Sequence, residues 1–343
     1  MIAANHKNRP RGYGGGLHMN TNNAVIIVTH NRLALLKECV AACLDQTAPF
    51  SRIIIVNNNS TDGTGEYLKK LADETKKPTV TVITKEDNLG GAGGFYEGMN
   101  AILESGSGID NVLLIDDDAI LRKDYMEQLL RYQDRLNVSG HGSKGKYGRP
   151  GKQHALAGSV MTNGVIDISH RRTIINRLAF LEKPVERIQY KTQSFKCDTA
   201  TFCGLLIPMD LLKKAGLPKK EYFIWYDDSE YCLRLPGVTV IPSAVLEHKT
   251  KLMDSKTNIL DRTSWKSYYG FRNRLDTAKE HFGPLTALIV DMEYFTLRLI
   301  SIAMTFSPDK GQRDHALFNI KMITDAARDG RFGNLGRNPD YMQ

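Results

Sequence analysis

From residue 19 onward, short runs of apolar residues alternate with longer stretches in which apolar positions recur every three or four residues. The runs 24–28 (AVIIV), 52–56 (RIIIV), 79–84 (TVTVIT) and 111–115 (NVLLI) predict strands, and their largely continuous apolar character predicts burial on both faces. Between them the pattern predicts helices over 33–44, 65–72 and 95–103. Strands alternating with helices predict an α/β fold with a mostly parallel central sheet and helices on both faces. Ligands of such sheets sit outside the carboxyl ends of the strands, so chemistry is expected in the loops that follow them. Further along, 205–208 and 238–245 read as strands and 210–215 as a helix. The last part is helical, with Leu285, Leu288, Ile289, Met292, Phe295, Leu299, Ile302 and Phe306 at steps of three and four. That stripe is either a packing face or a face laid on a membrane surface.

Composition narrows the class. The 343 residues are 41% apolar and 24% charged, which excludes a disordered or fibrous chain. The formal net charge of +8 is inflated by residues 1–18, which hold Lys7, Arg9 and Arg11 and no acid, leaving +5 for the rest. This leader lacks apolar periodicity, and His18-Met19 reads like the join between an expression tag and a native start, so 1–18 is set apart from the fold. The remaining charge fits polyanionic ligands or an anionic membrane and is weak ground for nucleic acid, which is not an expected partner. Five cysteines form no CxxC pair and are expected to be reduced, buried thiols, Cys39 and Cys43 lying four apart in a helix. The N-terminus lacks an apolar signal core, and the apolar stretch 287–306 is broken by Asp291, Glu293 and Arg298, which argues against a membrane span.

The strongest chemical signal is Asp116-Asp117-Asp118 at the end of a buried strand. Three adjacent carboxylates repel one another and are costly unless a cation neutralises them. In an extended segment Asp116 and Asp118 point the same way, so both can meet one Mg²⁺ or Mn²⁺, an ion that typically also bridges a substrate diphosphate. The run 223–230 (FIWYDDSE) sets carboxylates beside aromatic walls, where desolvation raises the pKa toward the range of a general base. Asp228 and Glu230 also suit the first turn of a helix. His248 is either an imidazole ligand to the metal or a structural histidine. The segment 88–94 (NLGGAGG) holds four glycines in five residues, letting the backbone approach a ligand at a helix N-terminus, although neither GxGxxG nor GK[ST] is matched. The loops 29–32 (THNR) and 57–64 (NNNSTDGT) follow neighbouring strands and are rich in amides and hydroxyls suited to a base and a ribose. The Gly- and cation-rich segment 140–152 is either a solvated loop or a lid over phosphates.

Taken in order, THNR, VNNNSTDGT, NLGGAGGF, LLIDDDA, WYDDSEYCLR and a downstream histidine resemble a family-two inverting glycosyltransferase of the GT-A fold, over about residues 22–250. The tighter resemblance is to bacterial galactofuranosyltransferases and their rhamnosyltransferase relatives, which share NxGGAGGF and the WxDD-x-E form. YYGFRNR at 268–274 resembles an element these relatives carry after the catalytic domain. The resemblance implies a Rossmann-like GT-A catalytic domain over 19–250 that binds a nucleotide sugar. It implies a helical region over 251–343 for acceptor, membrane or oligomer contacts.

Residue by residue, the resemblance implies Asp228 as the catalytic base, with Asp227 as the adjacent fallback and Glu230 beside them. Asp116, Asp118 and His248 would hold the Mn²⁺ or Mg²⁺. Thr29, Asn31, Arg32, Asn57, Asn58, Asp62, Asn88, Gly90, Gly91, Gly94, Asp116, Asp117 and Trp225 would contact the nucleotide sugar. Where the family usually has Asp-Asn this chain has Asn57-Asn58, an amide in place of a carboxylate at the uracil contact. Arg272 either meets phosphate or fixes the C-terminal helices. The expected activity is transfer of galactofuranose from UDP-galactofuranose to a lipid-linked cell-surface glycan, at the cytoplasmic face of the membrane. A dTDP-rhamnose-dependent rhamnosyltransferase is the alternative, and a nucleotidyltransferase or an inactive sugar-nucleotide-binding module are more distant ones. An anionic membrane surface and a second copy of the chain are the other candidate partners.

Overall fold

The computed structural model describes residues 21–106, 108–142, 154–250, 259–261 and 263–342. The leader 1–18, Lys251 and nearly all of the segments 140–152 and 251–262 lie outside them.

The first half follows the predicted alternation: β1 (Asn23–Thr29), α1 (Leu33–Leu44), β2 (Arg52–Asn57), α2 (Thr64–Glu74), β3 (Thr79–Thr84), α3 (Gly90–Glu104) and β4 (Asn111–Asp116). These four strands are parallel neighbours in the order β4-β1-β2-β3. Successive residues of β1 go to opposite faces, which is why all seven are buried. Ile26 and Val28 join Phe95, Met99 and Ile102 of α3 on one side, and Val25 and Ile27 join Leu36, Cys39, Val40 and Cys43 of α1 on the other.

The second half is less regular. It holds β5 (Ala119–Leu121), α4 (Tyr125–Gly142), β6 (Ala155–Thr162), β7 (Val165–Ile166), β8 (Arg171–Asn176), β9 (Leu181–Pro184), β10 (Phe195–Cys197), β11 (Thr199–Ala200), β12 (Leu205–Pro208), α5 (Met209–Ala215), α6 (Asp227–Arg234) and β13 (Val238–His248). The sheet continues from β4 as β12-β6-β13-β10. There β12 runs antiparallel to both its neighbours while β6 and β13 are parallel. Strands β8, β9 and β11 form a separate small sheet.

Three helices close the chain: α7 (Trp265–Phe282), α8 (Pro284–Met304) and α9 (Lys310–Phe332). Their core, built on Tyr268, Tyr269, Leu275, Tyr294, Met322 and Ile323, takes in Phe223 from the loop before α6. The C-terminal helices are thereby packed against a loop that the sequence singled out for chemistry. Among the described residues no helix is long and apolar enough to cross a membrane. All five cysteines are buried and none is in a disulfide.

Candidate active site

Strands β1, β2 and β4 end level with one another, since Thr29 pairs with Asn57 and Val28 with Asp116. Their loops therefore open on one edge of the sheet. The chain turns directly after Asp116, so the strand's alternation ends before Asp117 and Asp118. Instead Asp117 and Asp118 share one cation: Arg32 Nη1 donates to Asp117 Oδ1 at 3.2 Å and to Asp118 Oδ2 at 2.7 Å. Thr29 Oγ1 donates to Asp117 Oδ2 at 2.7 Å.

His248 reaches this edge because β13 pairs with β5, placing it opposite Ala119. Its Nε2 lies 3.2 Å from Asp118 Oδ1, and its ring stands edge-on to that of His170 at 5.0 Å. Burial opposes the charged forms of both partners, but the His248 contact and the charges of His248 and Arg32 hold Asp118 below the usual carboxylate range. The same contact raises His248. Asp116 lacks such a partner, and burial together with the charges of Asp118 and Asp117 pushes it up to about 7.

The nucleotide-loop residues hold each other. Asn31 Oδ1 accepts from Thr61 N at 2.7 Å, and Asn57 Oδ1 accepts from Ser60 N at 3.1 Å. Asp62 accepts from Leu33 N at 2.9 Å and from Thr64 Oγ1 at 2.6 Å, bridging the starts of α1 and α2. Asn58 Nδ2 donates to Gly90 O at 2.8 Å, while its buried Oδ1 has no hydrogen-bond partner. Asn88 Oδ1 accepts from Gly90 N at 2.8 Å.

The glycines divide into two kinds. At Gly90 (φ +70°) a Cβ would stand 2.0 Å from Phe223 O, and at Gly94 it would stand 2.4 Å from Val28 Cγ1. At both positions protein packing by itself requires glycine. Gly91 has open space beside it.

The loop carrying the acids is strained. Phe223 (φ 64°), Trp225 (φ 64°) and Tyr226 (φ 68°) all occupy the left-handed region, each at a cost on the order of 1–2 kcal/mol for a bulky side chain. Two residues of α7 hold it there. Fully buried Asn273 donates Nδ2 to the carbonyls of Tyr222 (3.0 Å), Ile224 (3.2 Å) and Trp225 (2.8 Å). Buried Arg272 donates Nη2 to the carbonyls of Glu221 (3.1 Å) and Tyr222 (3.2 Å), and its Nε to Asn273 Oδ1 (2.9 Å). Of the two expected roles for Arg272, the structure places it in the packing one. Asn273 was not singled out by sequence, although it lies inside YYGFRNR. A half-buried Lys266 at the start of α7 was also missed; burial and the charge of Arg32 lower its pKa, and Asp118 is within electrostatic reach.

Asp228 is half-buried, and its Oδ1 accepts from Ser229 N at 2.6 Å. Burial pushes it up to about 6 despite that bond, with Glu182 adding to the shift. Asp227 is buried and rises further, through burial and the charge of Asp228, with Asp116 contributing. The two acidic loops are therefore within electrostatic reach of each other. Trp225 is 43% exposed, its ring against Gly270. Glu230, expected beside the base, is fully buried and taken up by Arg234 (2.8 Å) and His281 (3.0 Å).

The donors fit a hard divalent ion in part. Asp118 Oδ1 and His248 Nε2 face each other at 3.2 Å, and that carboxylate–imidazole pair suits Mn²⁺ or Mg²⁺. Asp116 does not close on that pair: among the described residues the cluster that does converge is Glu230, Glu280 and His281, whose buried member already has both oxygens engaged.

Residues 24–212 match the family model "Glycosyl transferase family 2". The chain is 25% identical over 319 residues to a dTDP-rhamnosyl transferase, RfbF, of Shigella flexneri, covering 90% of this chain and 97% of that one. A crystal structure of GalNAc-T7 with UDP, GalNAc and Mn²⁺ superposes with a TM-score of 0.55 at 13% identity, covering 90% of this chain and 57% of that longer one, a likeness of fold alone. The matched segment runs from β1 through α5 and so contains the three level strand ends and the Asp116–Asp118 turn built above. This chain is therefore a member of glycosyl transferase family 2, with a GT-A fold extended by three C-terminal helices.

Proposed function

We propose that this enzyme is an inverting, divalent-metal-dependent glycosyltransferase that takes a deoxyhexose or hexose from a nucleoside diphosphate. The observation that carries this reading is Asp228, a carboxylate shifted to about 6 on a strained loop that faces the Asp116–Asp118 turn. At pH 7 it is ionised yet basic enough to accept a proton from an acceptor hydroxyl. Asp227 beside it is held well above its ordinary range, by burial and by the charge of Asp228. Thr29, Asn31, Asn57 and Asn58 offer the base and ribose their amide and hydroxyl groups, and Arg32 steadies Asp117 and Asp118 for the diphosphate end. Asp118 and His248 would hold the metal, which when bound supplies positive charge to a departing nucleoside diphosphate. With Asp228 as the single base and no covalent intermediate assigned, the proposed reaction is direct displacement with inversion.

Similarity to a dTDP-rhamnosyl transferase over nearly the whole of both chains favours dTDP-rhamnose as donor. UDP-galactofuranose is the second reading, favoured by the NLGGAGGF and WYDD segments. The acceptor is proposed to be a growing, lipid-linked cell-surface glycan.

Release of dTDP or UDP from each donor, offered separately with Mn²⁺ and with EDTA, tests the reading. Mn²⁺-dependent turnover of dTDP-rhamnose alone supports the first donor, and turnover of UDP-galactofuranose alone replaces it by the second. Retention of the donor's anomeric configuration in the product would remove the single-displacement mechanism.

A further inference from the structure

The stripe on α8 is neither buried nor generally amphipathic. Leu285, Leu288, Met292, Phe295, Leu299 and Ile302 follow one another at steps of three, four, three, four and three, and each is 45–62% exposed. Thr286, Val290, Tyr294 and Ser301 on the opposite side are buried against the neighbouring helices. An exposed two-in-seven seam of large apolar residues, about two and a half heptads and ~25 Å long, is the pattern by which one helix takes another alongside it. Beyond the helix end Phe306 continues the spacing and is 84% exposed.

We propose that α8 is a homodimer interface, in which the seam pairs antiparallel with its own copy about a twofold axis between residues 293 and 294. In that register Leu285 meets Ile302 of the second copy, Leu288 meets Leu299, and Met292 meets Phe295, so every seam residue has an apolar partner and the patch is self-complementary, as a twofold interface requires. Two further features fit the same register. Asp291, which already meets Arg331 of α9, and Arg298 hold the positions flanking the seam; antiparallel pairing brings Arg298 to Asp291 of the second copy as well, twice, whereas parallel pairing sets Asp291 near Thr296 and Arg298 near Ala303. Among the described residues Arg298 makes no ion pair and lies only over the Phe295 ring at 5.5 Å. A groove of about 290 Å³ opens beside the N-terminal end of the seam, its apolar wall made by Leu275, Pro284, Ala287 and Leu288 and its charged rim by Lys279, Asp291 and Arg331. The same register brings Phe306 of the second copy opposite residue 281, next to that groove.

A membrane occupant fits less well. Helix α8 carries one cation against the two acids Asp291 and Glu293, whereas a helix lying on an anionic bilayer is flanked by several lysines or arginines.

Sedimentation equilibrium of the full chain at micromolar concentration reads the assembly, with Phe295→Glu as the main variant. The expected result is a dimer that becomes a monomer in the variant, with the helical circular-dichroism signal retained because the side chain makes no core contact within its own chain. A second variant, Met292→Cys with Phe295→Cys, is expected to form a covalent dimer on mild oxidation; the native cysteines are all buried and do not compete. A monomeric wild type, a dimer that survives Phe295→Glu, or a wild type that is monomeric until anionic phosphatidylserine vesicles are added would each overturn the proposal.

Discussion

The Asp116–Asp118 turn and the Phe223–Asp228 loop both bring carboxylates to the cleft, and they are built in opposite ways. The first is a strand end: its backbone is ordinary, and its charges are settled by side chains from adjacent loops, Thr29 and Arg32, and by His248 across a strand pair. The second has three bulky residues in the left-handed region, and its carbonyls are satisfied by Asn273 and Arg272 from a helix some 50 residues later. One loop is held by its neighbours in the sheet. The other is held in a costly shape by the C-terminal helices, so those helices determine where the proposed base stands.

The largest expected effect tests which loop does the proton transfer. Asp228→Asn should reduce turnover by about 10²–10⁴-fold, the range of a lost general base, while leaving donor binding and thermal stability nearly unchanged. Equal losses in donor affinity and turnover would place Asp228 in binding instead. His248→Ala should weaken Mn²⁺ binding by at least about tenfold, measured by calorimetry, and should leave the shape of the Phe223–Asp228 loop alone.

The contrast between the loops is sharpened by Asn273→Ala, which strips hydrogen bonds from three carbonyls at about 1–3 kcal/mol for each buried group left unpaired. Turnover should fall with donor affinity intact, and the unfolding temperature should drop by several degrees. A variant with normal turnover would show that the loop keeps its shape without α7.

The pH profile is a milder test. With Asp228 at about 6, its basic form is complete above that value and is lost as pH falls through it, so turnover should decline about tenfold per unit below pH 6. In Asp228→Asn this limb should vanish. The smallest contrast lies within one glycine segment: Gly90→Ala should destabilise, since its Cβ would collide with Phe223 O, whereas Gly91→Ala should be neutral or stabilise α3 by up to about 1 kcal/mol.

Much of this was legible in the chain. Continuous apolar runs such as AVIIV can be satisfied only by a sheet covered on both faces, so β1, β2 and β4 followed from period and burial; β3, expected to be buried likewise, is instead the edge strand and has no buried residue. The Asp116–Asp118 site was legible for the same reason, because nothing but a buried strand precedes it. The family resemblance set Glu230 beside the base, and only the tertiary structure shows it turned inward to Arg234 and His281. The glycines of NLGGAGG read as ligand contacts, but Gly90 and Gly94 answer to Phe223 and Val28, which are distant in sequence. Local sequence determined the elements, because propensity and hydrophobic period act over a few residues. The tertiary structure alone decided the strained loop, the work of Arg272 and Asn273, and the exposure of the α8 seam, because each depends on which distant backbone carbonyls and apolar faces packing leaves to be satisfied.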